Sequence, residues 1–436
     1  MKNLLTQTTS LLYSEHGISL ITENTRRLSQ LQRIARRILF KKMRGICYGK
    51  LTFVDQEGKT CFGKQNDPHD LHATIFVHNP RFYCDAVFGG SVGAAESYMR
   101  GDWVSSDLTR IVRILVLNYE QLEKLDSGTA SLTMKLYQLG HALRKNTRSG
   151  SKRNISAHYD LSNEFFKLFL DPTMMYSSAV FENEHASLED ASIAKLQRIC
   201  QKLDLQPTDH LLEIGTGWGG MAVYAAKHYG CRVTTTTISQ KQYEFTIQRV
   251  QEADLSDQIT VLCQDYRTLE GQFDKLVSIE MIEAVGNQYY DEYFTRCSNL
   301  LKPKGLMLLQ AINTEDQKYE DAQKSVDFIQ KYIFPGGCLP SITEIIKTTT
   351  ESTDMRLFHM EDIGPHYAKT LRLWRKRFFK NLDQVTQLGF SEEFIRMWEY
   401  YLCYCEGLFE ERRIGTVQML FNKPLCRRNP IVPHLP

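Results

Sequence analysis

Leu211-Leu212-Glu213-Ile214-Gly215-Thr216-Gly217-Trp218-Gly219-Gly220 is the stretch that decides the fold. An apolar strand ends at Ile214 and a helix begins near Trp218. Glycines at such a junction permit a tight turn and let the backbone approach a ligand closely. A Gly-x-Gly-x-Gly run alone is weak evidence, but this one follows the first strand of an alternating series. Strand-like runs follow one another at His210–Ile214, Arg232–Ile238, Gln258–Gln264, Phe273–Ile279 and Leu306–Ile312. Helical stretches lie between them near 218–229, 239–253 and 287–301. Strands alternating with helices imply a parallel sheet covered on both faces. Met355–Met360 and Thr416–Phe421 add two further strands as a hairpin-like edge. The expected fold is α/β, doubly wound, with a seven-stranded, mostly parallel sheet.

A nicotinamide site expects Gly-x-Gly-x-x-Gly and an acidic residue after the second strand. Here the glycines are Gly215, Gly217 and Gly219, and the second strand ends Thr234-Thr235-Thr236-Thr237-Ile238-Ser239 with no acid. That pattern argues against a nicotinamide cofactor.

Upstream the signals differ. Lys50–Val54 and Thr60–Lys64 alternate around Glu57-Gly58 like a hairpin, and Ala73–Val77 is another short strand. Asn79-Pro80 opens a helix interrupted at Gly89-Gly90-Ser91, and Leu108–Leu117 is an apolar helical run. Lys145–Arg153, basic and centred on Ser149-Gly150-Ser151, reads as a linker. Two domains are therefore expected: a smaller α+β accessory domain over 1–145 and a larger α/β domain over 146–436.

The 436 residues suffice for two cores, and 42% hydrophobic with 24% charged residues is ordinary for a globular chain. No run reaches the roughly 18 apolar residues of a spanning helix, and no signal pattern opens the chain, so a cytoplasmic location is expected. The 11 scattered cysteines suit reduced thiols, and no pairing of Cys403 and Cys405 with a second Cys pair builds a zinc site. No metal is expected. Arg26, Arg27, Arg33, Arg36, Arg37, Lys41, Lys42 and Arg44 form a run without acids, with Leu28, Leu31, Ile34 and Ile38 at helical spacing. Such a helix lies on an anionic membrane surface or docks on its own domain with a solvated basic face. No recognition motif supports nucleic acid.

The glycine loop resembles the first motif of class I S-adenosylmethionine-dependent methyltransferases. From about residue 75 to 423 the chain resembles one branch of them. His158-Tyr159-Asp160-Leu161-Ser162-Asn163-Glu164-Phe165-Phe166 and Leu170-Asp171-Pro172-Thr173-Met174-Met175-Tyr176-Ser177-Ser178-Ala179 are similar to the cyclopropane fatty acid synthase and mycolic acid cyclopropane synthase family. So are Thr237–Gln242, Phe273–Glu280, Ile282–Gly286, Tyr332–Ser341, Tyr404–Gly407 and Val417-Gln418. Asn79–Phe82 and Gly101–Trp103 resemble the accessory domain of the two-domain bacterial members.

The resemblance implies transfer of a one-carbon unit from S-adenosylmethionine to an unsaturated acyl chain of a membrane phospholipid. The basic amphipathic stretch 26–44 adds the expectation of a peripheral site of work on the inner face of a membrane. A homodimer is left open. The cofactor would be surrounded by Tyr176, Ser177, Leu212, Glu213, Gly215, Gly217, Trp218, Gly219, Gly220, Thr237, Ile238, Ser239, Gln242, Asp265 and Tyr266. Asp265 would accept from the adenine amine, Tyr266 would pack on the base, and Gln242 would take the ribose.

An alkene that attacks a sulfonium methyl becomes a carbocation, and ring closure then expels a proton. The site must exclude water and place a base beside the cation. Glu283, Tyr367, Gln310, Ser178, Ile312 and Cys405 match the family positions for this work, several of which hold a bicarbonate as base. Ser178 stands where the family often has Cys, and Gln310 where it often has His, which puts that anion in doubt. A weaker base would favour a methyl-branched or methylene product. A relative without activity and a methyltransferase for soluble small molecules are the remaining readings. Cys405 matches a family cysteine, but the chemistry needs no covalent sulfur. Phe165, Phe166, Phe169 and the aromatic helix Leu371–Phe379 are candidates for an apolar acyl pocket.

Overall fold

The computed structural model describes residues 28–63, 70–123, 161–324 and 326–431. The expected linker at Lys145–Arg153, the His158–Asp160 motif, Arg26, Arg27 and Lys64 lie outside them. The chain forms two compact units. One comprises Met1–Gly140, Ser325–Lys331 and Trp374–Arg413; the other comprises His141–Lys324, Tyr332–Leu373 and Ile414–Pro436. Sequence reading assigned 325–331 and 374–413 to the C-terminal domain, whereas they cluster with the N-terminal part.

In the first unit, β1 (Lys50–Asp55) and β2 (Gly58–Gly63) form the expected hairpin, with Gly58 at φ +113°. β3 (His72–Val77) and β4 (Trp103–Ser105) complete a sheet of order β2-β1-β3-β4. Helix α1 (Gln30–Met43) opens with a Ser29–Gln32 capping box, which satisfies two N-terminal donors reciprocally. Its docked face is Ala35, Leu39, Phe40 and Met43, and Arg36 pairs with Asp55 at 2.7 Å. The stripe picked out by helical spacing faces the other way: Leu31, Ile34 and Ile38 are 56%, 51% and 41% exposed. Helix α2 (Leu108–Leu117) packs against α3 (Glu392–Glu410), where a Cβ on Gly407 would stand 2.7 Å from Val112. That close approach explains why a helix so late in the chain belongs to this unit.

The second unit is built on a seven-stranded sheet. In chain order its strands are β5 (His210–Ile214), β6 (Arg232–Thr237), β7 (Ile259–Cys263), β8 (Phe273–Ile279), β9 (Leu301–Thr314), β10 (Arg356–Asp362) and β11 (Ile414–Asn422). The spatial order is β10-β11-β9-β8-β5-β6-β7. The five strands from β7 to β9 are parallel, and β11 and β10 add an antiparallel edge. This is the class I methyltransferase arrangement expected. β9 is longer than read, because Lys302-Pro303-Lys304-Gly305 looks like a turn yet lies within the strand. Apolar clusters fill both faces, one around Leu212, Leu276 and Met307, the other around Leu211, Val277 and Leu308. Strand neighbours thus point to opposite faces, as period-two alternation requires.

Candidate active site

The C-terminal ends of the parallel strands carry the chemistry-bearing residues. Ligands of open α/β sheets bind at this edge. After β5, the loop turns through Gly215, Gly217 and Gly219, all at positive φ. A Cβ on Gly219 would meet Thr246 at 2.8 Å, and one on Gly220 would meet the Thr173 carbonyl at 2.6 Å. These two glycines are therefore packing requirements. Gly217, at φ +52°, has no atom within 4 Å of where a Cβ would stand, so its backbone is bare on that side.

The loop is braced from three directions. Trp218 is buried, donates from Nε1 to Asn163 Oδ1 at 2.9 Å, and packs on Phe166 with centroids 4.7 Å apart. Arg249 donates to the carbonyls of Thr173 and Trp218, at 2.8 and 3.0 Å. Thr235 donates its hydroxyl to Glu213 Oε2 at 2.6 Å. Burial pushes the Glu213 carboxyl up to about 8, against that hydrogen bond. Leu212 is fully buried in the sheet core. Leu212, Glu213 and Trp218 thus shape the loop from within rather than presenting side chains to a ligand. Phe165, Phe166 and Phe169, candidates for an acyl pocket, are likewise fully buried, and Phe166 and Phe169 pack with Tyr176.

Beyond β6, Thr237 donates to Gln242 Oε1 at 2.8 Å, which fixes the orientation of that amide. Ser239 caps the helix Gln240–Glu252, and Ile238 is half-buried beside it. Past β7, Asp265 grips Arg267 at 2.7 Å, and Tyr266 packs edge-on to Tyr293 at 5.5 Å. The Asp265 carboxylate expected on an adenine amine is already engaged by its own neighbour.

The segment Asp171–Ala179 joins this loop to a second cluster. Asp171 holds the turn by accepting from Thr173 N and Ser192 Oγ. Met175 lies where a Cβ on Gly220 would come within 2.9 Å of its sulfur. Three residues on, Ser178 N donates to Glu280 Oε1 at 2.9 Å. Gln310 Nε2 donates to the same oxygen at 2.8 Å, and the Tyr367 hydroxyl donates to Oε2 at 2.7 Å. Ser178, Gln310 and Tyr367, expected together around a bound anion, therefore converge on a carboxylate of the chain itself, one outside the expected set. Ser178 contributes its backbone rather than its hydroxyl, which donates to the Ala179 carbonyl.

Glu280 follows the last residue of β8, with φ at +48°, the left-handed region. Met281 next to it covers Gly215, 3.3 Å from where a Cβ there would stand. Glu283 stands one turn further on. Its Oε1 accepts from Ile312 N, and its buried Oε2 has no hydrogen-bond partner among the described residues. Burial and the nearby Glu280 push the Glu283 carboxyl up to about 8. Burial also raises Glu280, but Tyr367, the Lys195 ammonium, Ser178 and Gln310 all oppose it. Three donors favour the charged form of Glu280, whereas Glu283 accepts only from backbone N–H groups. Lys195, fully buried, donates to Ser177 Oγ at 2.6 Å, and burial draws it down to about 8 against the pull of Glu280 and Asp171.

Gln310 is itself held. Gln418, directly opposite on β11, donates to Gln310 Oε1 at 2.9 Å and accepts from Lys202 at 2.7 Å. Lys202 and Arg198 in turn pair with Glu361, which holds that carboxylate down at about 2 despite its burial. Cys405 is the remaining residue at a family-matched position. It sits on α3 in the first unit, where burial and Asp327 push its thiol far above the usual range. Such a shift disfavours the thiolate, the nucleophilic form.

The sequence profile of the mycolic acid cyclopropane synthetase family matches residues 146–419. The chain belongs to this family. It is 37% identical over 353 residues to tuberculostearic acid methyltransferase UfaA1 of Mycobacterium tuberculosis, across 79% of this chain and 82% of that protein. It is 37% identical over 358 residues to cyclopropane-fatty-acyl-phospholipid synthase of Escherichia coli K12, across 80% of this chain and 88% of that protein. Among solved structures, mycolic acid cyclopropane synthase CmaA1 complexed with SAH and CTAB is similar, with TM-score 0.58 and 33% identity. That match covers 62% of this chain and 98% of CmaA1. This cyclopropane synthase family member is thus an S-adenosylmethionine-dependent methyltransferase that modifies lipid. Its residues fit the cofactor: Gly217 offers bare backbone, and Gln242 a fixed amide. Among the described residues, no helix is long and apolar enough to cross a membrane, and no cluster of His, Cys, Asp and Glu is placed to hold a metal.

Proposed function

We propose that the enzyme transfers a methylene unit from S-adenosylmethionine to the cis double bond of an unsaturated phospholipid acyl chain, yielding a cyclopropane ring. The observation that carries this reading is the convergence of Ser178, Gln310 and Tyr367 on a carboxylate at the end of β8, joined by Asp171–Ala179 to the glycine loop. Gly215, Gly217, Ser239, Gln242, Asp265 and Tyr266 are the residues proposed to hold the cofactor. Bound there, S-adenosylmethionine supplies an electrophilic methyl carbon. The chain's own residues do the rest. Fixed negative charge at Glu280 favours a cation forming on the lipid. Ser178 and Gln310 are wholly buried and Tyr367 nearly so, which keeps water from the cation. Ser177, held by Lys195, and Tyr176, held between Phe166 and Phe334, line the path between loop and carboxylate.

Helix α1 supports a peripheral site of work on an anionic inner membrane face. Its exposed Leu31, Ile34 and Ile38 stand among Arg33, Arg37, Lys41 and Lys42, the pattern of a helix that lies in a lipid interface. A second reading keeps the fold and cofactor and changes the product to a methylene or methyl-branched chain. The similarity to a tuberculostearic acid methyltransferase favours it.

The test is incubation with methyl-labelled S-adenosylmethionine and vesicles of mono-unsaturated phospholipid, anionic or zwitterionic. Extracted chains are examined by mass spectrometry and proton NMR. Upfield ring protons, loss of the vinyl signal and faster labelling of anionic vesicles are expected. Vinylidene or branch-methyl signals would move the conclusion to the second reading. No label in lipid, with cofactor binding demonstrated, would overturn both.

A further inference from the structure

We propose that Glu280 is a built-in anion of this site, and that its carboxylate takes the proton released when the ring closes. The proposal rests on the methylene-transfer reading above and adds the identity of the base. The resemblance places a bicarbonate among Ser178, Gln310 and Tyr367. In this chain those groups are occupied by the two oxygens of one side chain, at 2.7 to 2.9 Å. A carboxylate and a bicarbonate present the same planar pair of acceptor oxygens, so donors placed for one suit the other.

Three further observations separate this from an ordinary buried acid. First, Glu280 holds φ +48°, a left-handed conformation that glycine adopts freely and other residues adopt only under strain. The fold alone would favour glycine there. Second, the neighbouring Glu283 leaves its buried Oε2 without a partner, so a second acid stands by but does not compete for the donors. Third, Glu280 has no cation in direct contact among the described residues. Lys195, the ammonium that acts on it electrostatically, donates to Ser177 instead. Neutral donors lower a carboxylate's basicity, and a cation in direct contact would lower it further.

The step balances without an added reactant. The alkene electron pair forms the new bond to the transferred carbon, and the carbon–sulfur bond breaks with its pair leaving on sulfur. A proton then passes from the new methyl group to a Glu280 oxygen. The carbon–hydrogen bonding pair becomes the last ring bond. Glu280 is left neutral and returns its proton to water as the product departs.

The experiment compares wild-type chain with Glu280→Gly in buffer stripped of carbon dioxide. Glycine removes the carboxylate and relaxes the backbone, so the fold survives, verified by the unfolding midpoint and cofactor binding. Wild-type turnover should not change on adding bicarbonate. The variant should lose about 10³-fold and recover with rising formate or bicarbonate, and Glu280→Gln should not recover. Binding of ¹³C-formate, followed by NMR without lipid, should be seen with Glu280→Gly and not with wild type. Bicarbonate-dependent wild-type turnover would overturn the proposal. So would a glycine variant within about tenfold of wild type in stripped buffer, or formate binding to wild type at this seat. If wild type labels no lipid at all, the methylene-transfer reading fails; formate bound by Glu280→Gly alone would still support the anion seat, and formate bound by neither would overturn it.

Discussion

In the first unit, Arg375 donates to Cys403 Sγ at 2.7 Å and Thr109 Oγ1 at 3.0 Å, and pairs with buried Glu406 at 3.0 Å. Tyr98 donates to Glu399 Oε2 at 2.7 Å close by on the same helix. In the second unit, Glu280 gathers a tyrosine, an amide and a backbone N–H in much the same way. The inventories are alike, yet the charges are treated differently. The Arg375 cluster sets a cation directly on an anion, and its neighbours push the guanidinium further toward its charged form. The Glu280 cluster keeps its ammonium on a serine, leaves an oxygen of Glu283 unpartnered and strains its own backbone. A network that exists to hold helices together closes on itself. One that exists to move a proton keeps an acceptor in reserve.

Substitutions in the two clusters should therefore part company. Glu280→Gln keeps the shape and removes the charge; labelled-lipid turnover should fall about 10³-fold with little change in the unfolding midpoint. Glu406→Ala should do the reverse. It strands the Arg375 guanidinium and should cost about 3 kcal/mol in denaturant unfolding, while turnover per folded molecule is kept. If both variants lost activity in proportion to stability, the contrast would be gone.

Glu213 sharpens the comparison through pH. Its carboxyl is raised from 4.5 to about 8, so the folded chain keeps a proton that the unfolded chain releases. The associated stability is full below pH 4.5 and is lost as pH rises through about 8. Glu213→Gln should flatten that decline, narrowing the stability difference between acid and alkaline conditions by more than about 1.4 kcal/mol. An unchanged pH profile would show that the buried carboxyl titrates normally. The smallest effect is expected at Gln418, which touches only Gln310 and Lys202 in this network. Gln418→Leu should lower turnover about three- to tenfold by freeing the Gln310 amide, with the cofactor affinity intact. A loss as large as that of Glu280→Gln would make Gln418 part of the chemistry.

Much of the second unit was legible in the chain. β5 and β8 run as read, β6 ends one residue earlier and β7 is one residue shorter at each end, because apolar and β-branched runs are punctuated there by Gly, Asp and Ser. The candidate residues at the carboxylate were legible as a family pattern but not as a contact set. Glu280 lies 102 residues from Ser178, 30 from Gln310 and 87 from Tyr367. No local periodicity encodes such a meeting. One signal was available: an acid directly at the end of a central parallel strand, where the sheet's ligands bind. Glu283, three residues on, drew the attention instead. The α1 stripe shows the opposite limit, since Leu31, Ile34 and Ile38 have helical spacing, but Ala35, Leu39, Phe40 and Met43 hold the helix down.

The pairing of Gln310 with Gln418 sets an order of assembly. β11 is the last strand of the sheet in chain order, and it enters antiparallel beside β9 with these two side chains in register. On a ribosome, the five parallel strands emerge more than a hundred residues before Gln418 does. A nascent chain can therefore complete its glycine loop and bring Glu280 to the end of β8 while the Gln310 amide still turns freely. The Gln310 amide is therefore fixed by the strand of this sheet that comes last in chain order, after the strand that carries Glu280.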